Sequence, residues 1–220
     1  MSPIEAVPTQ PVPVFPLPNA VLFPHGLLPL HVFELRYRTM LRDALASRRQ
    51  LVMALYAPGW EQFEKLARPI RPLATLARVG HVEWRLDDCY DLEVIGEQRV
   101  RIARVEHQFP YVAARLEAVP EQPYGADDPL VQIELRALIE ALAQRRIEAQ
   151  TLSIVPGAVT DAPALEVLTN RVAMRLAVPV DARLELLALD DVVERAHRVR
   201  RSVIEDGLVP APHRTGSAED

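Results

Sequence analysis

The first third of the chain alternates between short apolar runs and turns rich in proline and glycine. The runs are Val12 to Leu17, Val21 to Phe23 and Leu27 to Val32, and Pro-Asn and Pro-His-Gly turns separate them. Apolar runs of this length between turn residues are typical of short strands. Proline has no backbone N–H to donate, so we expect the first run, with Pro11, Pro13 and Pro16, to pair only as an edge strand.

A helical period follows. From Glu34 to about Ser47, apolar residues recur at spacings of three and four, which predicts an amphipathic helix lying on a core. Gln50 to Tyr56 predicts a buried strand, and the proline- and glycine-containing stretch from Ala57 to Arg71 predicts an irregular excursion. The residues predicted to face the core from the helix are Phe33, Tyr37, Met40, Leu41, Ala44 and Leu45.

Strict alternation of apolar and polar residues then predicts a β-hairpin. A three-residue loop from Asp87 to Cys89 pairs Trp84 with Leu92 and puts all the apolar residues on one face, whereas a two-residue turn would mismatch the faces. We therefore predict the longer loop. The apolar residues are Val82, Trp84 and Leu86 in one strand and Tyr90, Leu92 and Val94 in the other. Further strands are predicted over Arg99 to Ala103 and Tyr111 to Ala118.

The period changes from two to 3.6 after a proline- and glycine-containing stretch, so the architecture changes there. Asp128-Pro129 predicts a helix start, with Asp as N-cap and Pro at the first helical position, and this helix should reach about Ala149. Three more helices are predicted: from Asp161 to about Ala177, from Asp181 to Ala188, and from Asp190 or Asp191 with Val192, Val193, Ala196, Val199 and Val203 inward.

These elements predict an α+β protein. Residues 12–119 form a proline-punctuated β pseudo-barrel with one helix, residues 120–127 a linker, and residues 128–207 a helical bundle. Residues 1–11 and 208–220 are predicted to be a disordered lead-in and tail.

Several strings resemble the LON domain, the N-terminal substrate-binding domain of Lon proteases, which also occurs as a free-standing bacterial protein. They are Pro13 to Leu17, Val21 to Pro24, Leu28 to Leu30, Phe33-Glu34 and Arg36 to Arg38, then Gly80, the string from Gly96 to Ile102, and Leu184 to Leu187. The chain departs from the family pattern at Leu35, at the hairpin tip and at Val100. The resemblance extends to about Ser202. It implies a LON-like, PUA-like fold and recognition of unfolded polypeptide without chemistry of its own.

Composition narrows the function classes. The formal net charge of -5 argues against a generally basic nucleic-acid surface. The single cysteine, Cys89, excludes an intrachain disulfide and favours a reducing cytoplasm. We expect no signal peptide and no membrane span, because no apolar run is long enough.

The sequence lacks the motifs of both catalytic modules of Lon proteases. A phosphate-binding loop requires Gly-Lys followed by Ser or Thr, and the chain has no Gly-Lys pair. Its only lysine, Lys65, has no serine near it in sequence for a Ser-Lys pair. We therefore expect no enzyme activity, no ATP dependence and no cofactor.

Other reaction centres are weaker candidates. His81, Asp87 and Cys89 would make a cryptic hydrolase only if they converged in a cleft, and a hairpin-tip cysteine is more often incidental. His25 and His31 lack a third metal ligand, and Asp87, Asp88 and Asp91 are better explained as a solvated turn.

The last helix offers the one candidate surface for nucleic acid, which we regard as the alternative function. Its arginines are Arg195, Arg198, Arg200 and Arg201. Glu194 and Glu205 are interleaved at helical spacing, which favours an ordinary solvated face of ion pairs.

Binding of exposed polypeptide segments is thus the leading hypothesis, with a protease or chaperone as a further partner. Two routes are open: peptide addition to the edge strand Val12 to Leu17, and contact with apolar loops. The candidate contact residues are Phe23, Leu27, Trp60, Phe63, Arg36 and Arg38. Trp60 and Phe63 either bind polypeptide or cover the barrel, and Arg36 or Arg38 either contributes to binding or pairs with Glu34.

Overall fold

The computed structural model describes residues 7–64, 68–86, 88–147 and 164–209. These residues divide after Val119 into two compact units, which we call the β unit (residues 7–119) and the helical unit (residues 120–209). None of the helices formed by the described residues is long and apolar enough to cross a membrane.

The β unit contains a mixed sheet of six strands, in the order β2-β5-β4-β3-β1-β6, with β6 also pairing with β5. The predicted α+β class is confirmed, and the mixed sheet is not a closed barrel. The strands are β1 (Val12–Leu17), β2 (Leu27–Val32), β3 (Gln50–Tyr56), β4 (Ile70–Trp84), β5 (Tyr90–His107) and β6 (Ala113–Ala118). The helix α1 (Leu35–Leu45) and a single 3₁₀ turn (Trp60–Gln62) complete the unit.

Strand β1 is not an edge strand, so that prediction is wrong. Its first two residues pair with β6, and Val14 to Leu17 pair in parallel with β3. Pro13 therefore pairs with β6 and Pro16 with β3. Because β1 lies between β3 and β6, it does not offer a free edge along its whole length, and the structure does not favour polypeptide addition there.

The β4–β5 hairpin has a different register from the predicted one. Trp84 lies opposite Tyr90 and Val82 opposite Leu92, because the loop begins one residue earlier than predicted. Asp88 adopts a left-handed conformation at φ 62°, which ends the turn, and the N–H of Arg85 then donates to the carbonyl of Cys89 at 2.9 Å. Both strands are also much longer than predicted, and β5 runs unbroken through the two predicted strands from Tyr90 to His107.

One hydrophobic cluster in the core of the β unit joins side chains from β1, β3, β4, β5 and β6. Its buried members are Val12, Val14, Val52, Ala54, Ala74, Leu76, Val100 and Ala114. Thr75 is fully buried, and its hydroxyl donates to the carbonyl of Leu22 at 2.6 Å. This bond provides a partner for a backbone carbonyl in the loop between β1 and β2.

The loop between β1 and β2 lies directly against β5 at Gly96. The N–H of Gly96 donates to the carbonyl of Gly26 at 2.9 Å, and the N–H of His25 donates to the carbonyl of Gly96, also at 2.9 Å. A Cβ atom at Gly96 would lie 2.8 Å from the carbonyl carbon of Phe23 and 3.1 Å from the Cα of Pro24. Only glycine allows this close approach.

The helical unit comprises α2 (Pro129–Gln144), α3 (Ala164–Ala173), α4 (Val180–Ala188) and α5 (Val192–Glu205). The predicted N-caps of α2 and α5 are confirmed. Asp128 accepts a hydrogen bond from the N–H of Leu130, and Asp191 accepts from Val193 and Glu194. The predicted cap Asp161 lies outside the described residues.

Arg195 is fully buried, so its predicted place on a solvated face is wrong. Its guanidinium donates to both carboxylate oxygens of Glu121 at 3.0 and 2.8 Å. It also donates to the Asn170 side chain at 3.0 Å, to the carbonyl of Leu186 at 3.1 Å and to the carbonyl of Leu189. The predicted linker is therefore packed onto the helices, and the Gln122 N–H, which donates to the carbonyl of Asp190, adds a backbone bond.

We predict that Gly96→Ala lowers the free energy of unfolding by about 3 kcal/mol, because the added methyl group must displace the backbone at Phe23. Urea unfolding followed by circular dichroism measures the loss. Gly125→Ala is the control, since its Cβ would lie 4.0 Å from its nearest neighbour, the backbone nitrogen of Asp128. Equal stability of the two variants would show that the loop moves away from β5 at little cost.

We predict that Arg195→Ala lowers the free energy of unfolding by about 3–5 kcal/mol, because it leaves Glu121 and several acceptors without their buried donor. Arg198→Ala on the same helix is the matched control. Arg198 is exposed and pairs with Glu194 at 2.7 Å, so its loss should cost less than ~1 kcal/mol. A difference below ~1 kcal/mol between the two variants, measured by urea unfolding, would contradict a central role for Arg195.

Candidate polypeptide-binding surface

The first turn of α1 directs Leu35, Arg36 and Arg38 away from the core in three directions. Tyr37, Met40, Leu41 and Ala44 are the residues that the helix buries. Because successive residues are rotated by about 100°, Leu35 points to solvent, with Arg36 and Arg38 on opposite flanks. The side chain of Leu35 is 65% exposed.

On one flank, Arg36 begins a series of contacts that runs through Tyr37 and Tyr56 to Trp60. Arg36 pairs with Glu34 at 3.3 Å, as one of the two predictions for it required, and lies 4.3 Å from the ring centroid of Tyr37. The Tyr37 ring stacks on Phe15 at 4.4 Å, and its hydroxyl lies 3.3 Å from that of Tyr56. Burial raises the pKa of Tyr37, and the hydrogen bond with Tyr56 raises it further, so this hydroxyl stays neutral.

Trp60 ends this series of contacts. Its ring stacks on that of Tyr56 at 4.6 Å, with an interplanar angle of 17°. The guanidinium of Arg68 lies 4.4 Å from the ring centroid of Trp60 and 5.7 Å from that of Tyr56, so it contacts the stacked pair from one side. Ring stacking and a neighbouring cation both stabilise the position of Trp60. Phe63, three residues further on, is exposed.

On the other flank, Arg38 contacts the tip of the β4–β5 hairpin. Its guanidinium donates to the main-chain oxygen of Asp88 at 2.8 Å and forms an ion pair with the Asp88 carboxylate. The apolar residues next to this tip, Trp84 and Leu86, are 57% and 96% exposed. They were predicted to face a core, and that prediction is wrong because the hairpin extends beyond the strands that cover the rest of the sheet.

We call the exposed apolar residues around α1 the α1 surface: Phe33, Leu35, Phe63, Trp84 and Leu86. Phe33 was predicted to be buried but is 42% exposed and lies 5.9 Å from the ring of His31. Tyr37, through its hydroxyl contact with Tyr56, and Arg38, through Asp88, join the two flanks to the helix. Exposed apolar side chains grouped in this way mark binding surfaces more often than isolated ones do.

Two of the predicted contact residues do not belong to this surface. Phe23 is completely buried in the loop that lies against Gly96, so its side chain is not part of an exposed surface in this structure. Leu27 is half-buried at the start of β2. The sequence signal that would have found Leu35 is its helical position, opposite the buried Tyr37 and Met40.

The structure does not bring the residues of the hydrolase alternative together. His81 is exposed, Cys89 is buried, and Asp87 lies outside the described residues. In the observed register, Cys89 lies opposite Arg85, which is four residues from His81 along β4, or roughly 13 Å. Among the described residues, no group of three or more His, Cys, Asp and Glu side chains is arranged to hold a metal ion.

The arginines of α5 do not form an open cationic patch. Arg198 pairs with Glu194 at 2.7 Å and Arg201 pairs with Glu205 at 2.8 Å, as predicted. Arg200 pairs with Glu134 of α2 at 2.7 Å. Because each of these cations has a carboxylate partner and Arg195 is buried, the geometry does not favour the nucleic-acid alternative.

Two Lon proteases are similar to this chain over four fifths or more of its length. A Lon protease from Anaeromyxobacter dehalogenans is 29% identical over 183 residues, which is 80% of this chain and 21% of that protein. Lon protease 2 of Myxococcus xanthus is 27% identical over 193 residues, which is 84% of this chain and 22% of that protein. The chain thus spans about a fifth of the length of these relatives.

Solved structures share the fold. A Lon N-terminal domain protein from Xanthomonas campestris aligns with a TM-score of 0.62 and 21% identity, covering 86% of this chain and 96% of that chain. The N-terminal domain of a Lon protease from the Mycobacterium avium complex aligns with a TM-score of 0.63 and 19% identity, covering 88% and 97%.

The family model for the substrate-binding domain of the ATP-dependent protease La (LON) matches residues 11–203. This range includes both units and every residue of the α1 surface. The chain belongs to the LON substrate-binding domain family.

Proposed function

We propose that this protein binds exposed apolar segments of unfolded polypeptides through the α1 surface. The observation that carries the proposal is that large apolar side chains are exposed both on α1 and beside the hairpin tip that Arg38 joins to it: Leu35 is 65% exposed, and Trp84 and Leu86 are 57% and 96% exposed. The family's substrate-binding description supports a binding role. Contact with this surface would remove apolar area from water on both partners, which is favourable at about 25 cal/mol per Å².

The surface is suited to binding because rigid elements carry it. Leu35 lies on α1, whose neighbours Arg36 and Arg38 are fixed by the contacts with Glu34 and Asp88. Trp84 and Leu86 lie on a hairpin whose turn is closed by backbone hydrogen bonds. Little conformational freedom is lost when such side chains bind, so more of the contact energy contributes to affinity.

We further propose that the protein acts without chemistry of its own, as an adaptor in protein quality control that passes clients to a protease or chaperone. The reducing cytoplasm is the proposed compartment. Retention of a protease or chaperone on the immobilised protein, lost when Leu35 and Leu86 are replaced by serine, would identify that partner.

The double variant Leu35→Ser, Leu86→Ser tests the surface directly. We expect it to bind a fluorescent, reduced and carboxymethylated protein at least about tenfold more weakly, since burial of each leucine contributes roughly 1–2 kcal/mol. Fluorescence anisotropy measures the dissociation constant. Leu130→Ser, Ile133→Ser is the matched control, because these residues of α2 are 64% and 60% exposed.

The control should bind within about twofold of the unsubstituted protein. Equal weakening of both double variants would show that any exposed apolar side chain binds the probe, and the α1 surface would lose its special role. No binding by the unsubstituted protein would contradict the proposed function itself.

The variants Trp60→Ala and Phe63→Ala test whether each residue covers the β unit or binds polypeptide. We expect Trp60→Ala to lower the free energy of unfolding by about 2 kcal/mol, because the tryptophan stacks on Tyr56 beneath Arg68. Phe63→Ala should change stability by less than ~0.5 kcal/mol but weaken anisotropy-detected binding. The opposite pattern, with a stable Trp60 variant and an unstable Phe63 variant, would reverse the two assignments.

A further inference from the structure

One side of the β4–β5 hairpin has no neighbouring strand among the described residues. Strand β3 pairs with β4 only from Ile70 to Arg78. Arg49 then closes the edge for two more residues. Its carbonyl accepts from the N–H of Val79 at 2.7 Å, and its guanidinium donates to the carbonyl of Gly80 at 2.8 Å. Beyond Gly80, β4 pairs only with β5 in the described part of the chain.

The register determines which backbone groups face away from β5. Arg85 and Cys89 form a hydrogen-bonded pair next to the turn. Hydrogen-bonded and non-hydrogen-bonded pairs alternate along an antiparallel ladder. The pair of Glu83 with Asp91 is therefore hydrogen-bonded, whereas the pairs that Val82 and Trp84 form with β5 are not. The N–H and C=O groups of Val82 and Trp84 therefore point outward along the open edge.

The edge of β2 is protected in a way that the edge of β4 is not. Gly26 and Gly96 are hydrogen-bonded, so by the same alternation the even residues of β2 face β5 and Pro29 faces outward. A proline at an outward position removes the donor that an added strand needs. Val82, Glu83 and Trp84 contain no proline.

The two faces of the open edge differ in character. Val82 and Trp84 share one face, where Trp84 is exposed. On the other face, Glu83 lies opposite Asp91, and Arg85 pairs with both at 3.3 Å. The two carboxylates share the one guanidinium of Arg85, and Asp91 also lies 2.7 Å from a ring nitrogen of His31. One guanidinium does not balance two carboxylates, so this face favours basic side chains on a partner.

We propose that the open edge of β4 from Val82 to Trp84 receives an extended segment as an added strand, one that alternates apolar and basic residues. Its apolar side chains lie beside Trp84, and its basic side chains lie beside Glu83, with Asp91 one strand further away. The proposal rests on the proposed function and names the substrate class that the same end of the β unit selects. Main-chain hydrogen bonds supply affinity, and the alternating side chains supply specificity.

The test uses a fluorescent, end-capped nine-residue peptide in which valine alternates with lysine, and two N-methylated versions of it. One version carries the methyl groups on the valine amides and the other on the lysine amides. An added strand uses the amides of only one of its edges, so one version should lose at least about tenfold in affinity while the other keeps it. Equal affinities of the two methylated versions would overturn strand addition.

Charge swaps test the position and the preference for basic segments. Glu83→Lys should weaken binding of the valine-lysine peptide at least about fivefold and strengthen binding of a valine-glutamate peptide. Glu117→Lys, at an exposed position of β6, is the matched control and should change neither. Equal effects of the two substitutions would remove the edge of β4 as the site.

These outcomes are distinguishable from failure of the proposed function. If the carboxymethylated protein binds but the methylated peptides do not differ, the α1 surface stands and strand addition is wrong. If neither the carboxymethylated protein nor the peptide binds, both proposals fail.

Discussion

The close approach of the loop after β1 to Gly96 determines where the rest of the β unit lies. Two backbone hydrogen bonds join Gly96 to His25 and Gly26, and there is no space for a side chain between them. From this point β2 can pair with β5 in only one register, which ends with Val32 opposite Tyr90. Helix α1 therefore begins beside the hairpin tip, and Arg38 reaches Asp88. The α1 surface is thus a consequence of one glycine far from it in sequence.

Sequence patterns predicted the bounds of strands and helices better than the neighbours and register of each strand. The bounds of β1, β2, β3 and α1, and the caps at Asp128 and Asp191, follow from local patterns and agree with the structure. The predicted edge position of β1 disagrees with the structure. Proline content shows which backbone donors are missing, but it does not show on which side of the strand each neighbour lies. The hairpin register was wrong for a similar reason: alternation alone cannot locate the left-handed residue Asp88 that ends the turn.

Arg195 illustrates a second limit. Helical periodicity assigns charged residues to the outside, and for Arg198 and Arg201 this was right. Arg195 is buried because acceptors from Glu121, Asn170 and two carbonyls converge on it from distant parts of the chain. A charge can be buried when such partners surround it, but no local pattern in the sequence brings them together. The same holds for Leu35, Trp84 and Leu86, since their grouping depends on tertiary contacts.

The two open edges of the sheet show why side-chain contact and strand addition belong to the same end of the β unit. Proteins usually protect exposed edges with proline, charge or short length, since an open edge invites pairing with other chains. Pro29 protects β2, and Arg49 protects β4 as far as Gly80. Past that residue the protection stops where Trp84 and Leu86 become exposed. An edge of β4 that is covered up to Gly80 and open beside Trp84 and Leu86 is better explained by binding than by incomplete protection. The same carboxylates that discourage pairing with acidic chains favour a basic one.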